Sequence, residues 1–143
     1  MSRAARDLNI FAESLLGYEE GEGEAVAGTA AFRVCEKLRH LLSPLLGVLG
    51  FRALLARSLI VATAEAPELR VVTIRADGSL EGLAHVEPPI GEGRFPRGEV
   101  VLIAELLGLL VTFIGEALML RLVQGAWPEA TLDVVTREKR KKS

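Results

Sequence analysis

Apolar residues recur at helical spacing through most of the chain, and the places where that rhythm stops divide it into elements. Leu8, Phe11, Ala12, Leu15 and Leu16 share one side of a helical wheel and predict an amphipathic helix from about Ala4 to Tyr18. In residues 19–25 the acids Glu19, Glu20, Glu22 and Glu24 alternate with Gly21 and Gly23, a composition that opposes packing and predicts a linker. Thr29 is a fitting N-cap for a second helix. Its apolar stripe is Ala31, Val34, Cys35, Leu38, Leu41 and Leu42, with Arg33, Glu36, Lys37, Arg39 and His40 around the other side.

Ser43-Pro44 predicts a new helix start, with Ser as cap and Pro in the first turn, where its missing N–H needs no partner. This third helix runs from Pro44 to about Ala66 and stops at Pro67. It is apolar nearly all round, interrupted by Arg52 and Arg57, so neighbours must cover most of it.

The period then changes from helical to alternating. Leu69–Arg75 and Ser79–Leu83 flank Ala76-Asp77-Gly78 and predict a β-hairpin over 69–83 with Asp77 and Gly78 in its turn. A two-residue turn would put Ile74 opposite Glu81 and mix the faces. A three-residue loop with Gly78 at positive φ instead pairs Ile74 with Leu80 and Thr73 with Glu81, giving one apolar and one polar face. Pro88, Pro89 and Pro96 with three glycines predict a loop before the last helix.

That helix, 99–124, is the most apolar segment of the chain. Gly125 and Pro128 follow it as stop signals. Between Val100 and Val123 only Glu105, Glu116 and Arg121 are charged, and a window of about 19 residues passes a hydropathy test for a membrane span. Each central charge costs roughly 2.5–3.5 kcal/mol on insertion, which weighs against a span. On an unbroken helix Glu105 and Glu116 stand eleven residues, close to three turns, apart, with Gly108, Thr112 and Gly115 along or beside the same line. A narrow line of polar and small residues predicts a helix–helix seam, answered by Arg52 and Arg57 from the third helix.

These elements predict a mainly α fold: a four-helix bundle-like single domain over 1–136, with one hairpin between the third and fourth helices and a basic tail over 137–143. The length of 143 residues fits one domain. Half the residues are hydrophobic and a quarter charged, with aromatics at 5%, so Leu, Val and Ala build the core. A net charge of −2 and the lack of an aromatic stacking set or basic helix face outside the tail give no expectation of nucleic-acid binding. The single Cys35 excludes an intramolecular disulfide and lies on an apolar stripe, as a small buried hydrophobe would.

Chemistry has no persuasive spacing here. His40 and His85 lack partners at metal-ligand intervals, Gly21-Glu22-Gly23 and Gly91-Glu92-Gly93 carry acids that would repel phosphate, and no serine sits in a nucleophile elbow. Trp127 reads as a cap on the core. The N-terminus bears charges where a signal peptide needs an apolar run. No catalytic residue, metal site or cofactor is expected.

The functional expectation is a non-enzymatic cytoplasmic interaction or oligomerisation module, binding a second copy or a partner protein. One alternative is an inner-membrane protein spanning at 100–123 with its C-terminus cytoplasmic. Another is a carrier of a hydrophobic small molecule between the helices, with Arg52 or Arg57 meeting an acidic head group.

Overall fold

The computed structural model describes residues 3–20, 29–83 and 95–128, so most of the acidic linker, His85, both glycine-flanked acids and the basic tail lie outside the described residues. The elements are α1 (Arg3–Glu20), α2 (Ala30–Glu65), a 3-10 helix (Pro67–Val71), β1 (Thr73–Ile74), β2 (Leu80–Glu81), α3 (Arg97–Ile114) and α4 (Glu116–Ala126). The described residues thus form a helical bundle with four α-helices and one small antiparallel hairpin, here between α2 and α3.

The amphipathic segments fold as their patterns require. Phe11, Ala12, Leu15 and Leu16 are buried on α1, and Ala31, Val34, Cys35, Leu38 and Leu42 on α2. Thr29 caps α2: its Oγ1 accepts a hydrogen bond from the Phe32 N–H at 3.1 Å. α3 lies at the centre, buried from Gly98 through Ala104 and again at Leu106, Leu107 and Leu110.

Two predicted helix boundaries are corrected. The break expected at Ser43-Pro44 falls instead at Gly47 (φ 78°, ψ 162°), and α2 runs through Pro44 to reach it. Near the end of a helical limb Pro44 sacrifices little more than one backbone hydrogen bond, whereas a sharp change of direction needs a backbone conformation open essentially to Gly alone. The predicted helix 99–124 is likewise two helices meeting at Gly115 (φ 85°, ψ 156°). Gly115 N–H donates to Val111 O at 2.9 Å and Met119 N–H to Gly115 O at 3.1 Å, so helical bonding reaches the corner from both sides. One continuous helix over 99–124 is therefore not formed.

The predicted strand over 69–75 is also shortened. Pro67 starts the 3-10 turn that buries Leu69, leaving only Thr73–Ile74 to pair. The register is the expected one, Thr73 opposite Glu81 and Ile74 opposite Leu80. Arg75 N–H donates to Ser79 O at 2.8 Å, and Gly78 closes the loop at φ 90°. Asp77 Oδ1 accepts from both the N–H and the hydroxyl of Ser79, at 2.9 and 2.6 Å. At Gly82 (φ 96°) a Cβ would collide with the Val71 carbonyl oxygen, so only glycine lets the hairpin fold back to bury Leu80 and Leu83.

Gly125 of α4 faces Leu41, and Lys37 lies over Trp127, so α4 returns along the first limb of α2. Counting about 1.5 Å per residue from that contact, the Gly47 and Gly115 corners arrive at the same end of the bundle. Leu8 packs at Gly108, which brings the first half of α1 toward that end as well. The second limb of α2 runs back along α3, and Leu69 beyond it packs on Gly98.

The corners make a direct prediction. Nothing lies within 4 Å of a Cβ at Gly47 or Gly115, so alanine there meets backbone strain without a clash. Gly47→Ala and Gly115→Ala should each lower stability by about 1–3 kcal/mol in denaturant melts. Gly125→Ala, on helical backbone with only Leu41 at 4.0 Å, should raise it by about 0.5 kcal/mol.

Candidate functional site

The end of the bundle opposite the glycine corners is closed by a buried carboxylate. Glu19, four residues after Leu15 on the inward face of α1, is 2% exposed. Its Oε2 accepts from Trp127 Nε1–H at 2.7 Å and meets Lys37 Nζ at 2.5 Å, while Oε1 lies 3.6 Å from Arg33 Nε. Arg33 also donates to the Glu19 carbonyl at 3.0 Å. Glu19 thus leaves the predicted linker and becomes the point where α1, α2 and the end of α4 are joined. Both carboxylate oxygens meet cations of the same chain, so this cluster fastens helices. The i, i+4 spacing from Leu15 was the available signal, hidden by the run of acids that follows.

Glu99 is the other buried acid, 5% exposed in the first turn of α3. Burial pushes its carboxyl up to about 7, and no ion pair or side-chain hydrogen bond holds it among the described residues. Nearby Cys35 is buried, and burial pushes its thiol up to about 12, with the charges of Glu36 and Glu99 adding to the effect. A thiol held that high is protonated at neutral pH and is no nucleophile, in keeping with the core role predicted for it.

The raised carboxyl of Glu99 fixes the sign of a pH effect. The folded protein holds this proton more tightly than the unfolded chain, so stability is greatest below the ordinary value of 4.5 and falls as pH rises toward about 7. Glu99→Gln should match the native protein at pH 4 and exceed it at pH 8 by up to about 3 kcal/mol in thermal or urea melts. Equal stability of the two at pH 8 would remove the argument.

The predicted Arg–Glu seam is not assembled. The ion pairs of the described residues join Arg33 and Lys37 to Glu19, Arg39 to Glu36, Arg75 to Glu81 and Arg97 to Glu68. None joins Arg52 or Arg57 to Glu105 or Glu116. Glu105 is half-buried; desolvation, and then the charge of Glu65, hold its carboxyl above the usual range. Glu116 is exposed beyond the corner, in the first turn of α4. Thr112 is exposed and donates its hydroxyl to Gly108 O at 3.1 Å. Arg57 is exposed, and Arg52 is half-buried beside the hairpin turn, its Nε sealed from water without an acceptor. The seam required one straight helix, and Gly115 removes it.

Large hydrophobic side chains are exposed at Ile10, Ile60, Val61 and Val71, and most densely at the end with the two corners. Residues 44–50, Pro44-Leu45-Leu46-Gly47-Val48-Leu49-Gly50, are exposed apart from half-buried Leu46 and contain no polar side chain. Residues 112–118 are exposed apart from half-buried Ile114, and only Thr112 and Glu116 are polar. Leu49 is 76% exposed and Phe113 67%. Exposed connections are ordinarily polar, so an apolar end of this kind is the molecule's unusual surface.

Charged or titratable groups border it: His40, Arg52 and Arg121 stand one to two turns behind the corners. α2 also holds an 18-residue stretch with mean hydropathy 1.8 of which 28% is buried, long and apolar enough to cross a membrane by length and composition, as core helices also are. A separate open cavity of about 460 Å³ lies against α1, lined by Ile10, Glu13, Ser14, Gly17, Tyr18 and Phe95.

Among the described residues no group of three or more His, Cys, Asp or Glu side chains is placed to hold a metal ion. No family model, curated protein or solved structure matches this chain.

Proposed function

We propose that this protein is a docking module that acts by burying its apolar end against a partner. The observation that carries this reading is the exposure of Leu45, Val48, Leu49, Phe113 and Leu118 on two helix corners that the fold brings to one end. Core building does not account for them, because the bundle already has a continuous core of Leu, Val, Ile and Ala behind the corners. Fully burying one such side chain is worth about 1.5–3 kcal/mol. Five of them, partly covered already, offer enough to offset much of the cost of association, about 4–15 kcal/mol, which suits reversible binding.

Two of the buried groups, Glu19 and Cys35, are in keeping with the same reading. Glu19 is committed to Trp127, Lys37 and Arg33, and the Cys35 thiol is held protonated, so neither is poised for catalysis.

The test is a pair of substitutions on the exposed corners, Leu49→Ser with Phe113→Ser. Both side chains are mostly in solvent, so the melting temperature should change by no more than a few degrees. Binding of a hydrophobic dye, and any self-association seen by light scattering, should fall several-fold. A native protein that is monomeric, binds no dye and is unchanged by the pair would overturn the reading.

A further inference from the structure

Resting on that docking reading, we propose that the surface received by the apolar end is a lipid bilayer bearing anionic headgroups. Three features of the end select it over a second copy of the chain. The first is shape: the exposed apolar residues lie on two helix corners at one end of the bundle, a projecting arrangement that can enter the headgroup region.

The second feature is depth. Along the first limb of α2, His40 lies five residues before Leu45; along the second limb, Arg52 lies four residues after Val48; on α4, Arg121 lies six residues after Gly115. At about 1.5 Å per residue the apolar layer is about 6–9 Å deep. Interfacial helices bury their apolar face by about 5–10 Å, so the end would sink until its bordering charges reached the headgroups.

The third feature is the sign of that border. Arg57 and Arg121 are exposed and joined to no acid among the described residues, Arg57 standing two turns above Leu49; half-buried Arg52 forms no ion pair either but packs under the hairpin turn that carries Asp77. Long cationic side chains can rest their stems on the apolar layer and extend their heads to anionic lipid. Glu116 is the acid of the two corner segments, 44–50 and 112–118. It occupies the first turn of α4, where backbone N–H groups favour a negative charge. In a two-fold dimer through this end Arg121 of both copies would approach the same surface, and Glu116 is the acid that the corner segments 44–50 and 112–118 set against it.

The experiment is co-sedimentation of the full chain with vesicles of phosphatidylcholine alone and of phosphatidylcholine mixed with phosphatidylglycerol. The native protein should bind both, and the anionic vesicles at least about fivefold more tightly. Leu49→Ser/Phe113→Ser should weaken binding to both by about tenfold or more. Arg52→Gln/Arg121→Gln should remove the anionic preference and keep the remainder.

Leu49→Trp provides a readout that keeps the end apolar: its emission should shift to the blue on adding vesicles, while buried Trp127 contributes no change. Should the native protein stay in the supernatant with both vesicles, the bilayer is overturned. If light scattering then shows a dimer that the serine pair splits, docking stands with a second copy as the partner. A monomer that the serine pair leaves unchanged overturns both.

Discussion

α3 has almost no side that can face water. From Gly98 to Leu110 its buried residues point in every direction, and the half-buried Glu105, Gly108 and Leu109 are all the relief it has. Such a helix is stable only when neighbours surround it. With few elements available, the chain achieves this by turning back within its helical segments, so that both limbs of α2, α1 and α4 can be laid around or beside α3. Those reversals need a backbone conformation that side chains oppose, and Gly47 and Gly115 supply it. The central burial requirement thus leads to the corners, and the corners set what the protein shows to its surroundings.

The two ends of the bundle are finished in opposite ways. At one, Glu19 is withdrawn from water and held by Trp127, Lys37 and Arg33, which closes the helix ends with directional polar contacts. Breaking a buried pair of this kind is far more costly than its net contribution, so the cluster fixes which ends meet more than it adds stability. At the other, the chain turns through Leu45-Leu46-Gly47-Val48-Leu49 and Phe113-Ile114-Gly115 with no comparable polar closure. One end is closed by polar contacts within the chain, and the other keeps its apolar side chains exposed.

How much of this was legible in the sequence depended on whether the deciding force was local. The stripes of α1 and early α2 and the Thr29 cap follow from spacing, and hairpin register follows from keeping Ile74 and Leu80 on one face. The Gly115 corner was illegible because the apolar period continues straight through it, and a glycine inside a helix looks like a small cost in propensity. Gly47 was masked by Ser43-Pro44, a better local start signal that the tertiary packing overrides. Glu19 was hidden because its partners come from α2 and from Trp127, 108 residues along the chain. The apolar end was the least legible: its residues are those of a core helix, and only the arrangement of limbs decides that Leu49 and Phe113 fall outside.

The polar residues that do occur at the apolar end sharpen what kind of surface it is. Thr112 turns its hydroxyl back onto the Gly108 carbonyl, so its hydrogen bond is met within the helix. Glu116 takes the one place in the segment where a carboxylate is favoured by the helix itself, the first turn of α4. Neither residue provides the hydrated rim that a helix corner in water normally has. Placing a more polar loop at Gly47 or Gly115 would have satisfied the burial of α3 equally well, since nothing lies within 4 Å of a Cβ at either corner. The demands of folding therefore account for the corners and their glycines, while the exposed leucines and phenylalanine beside them are what the proposed docking rests on.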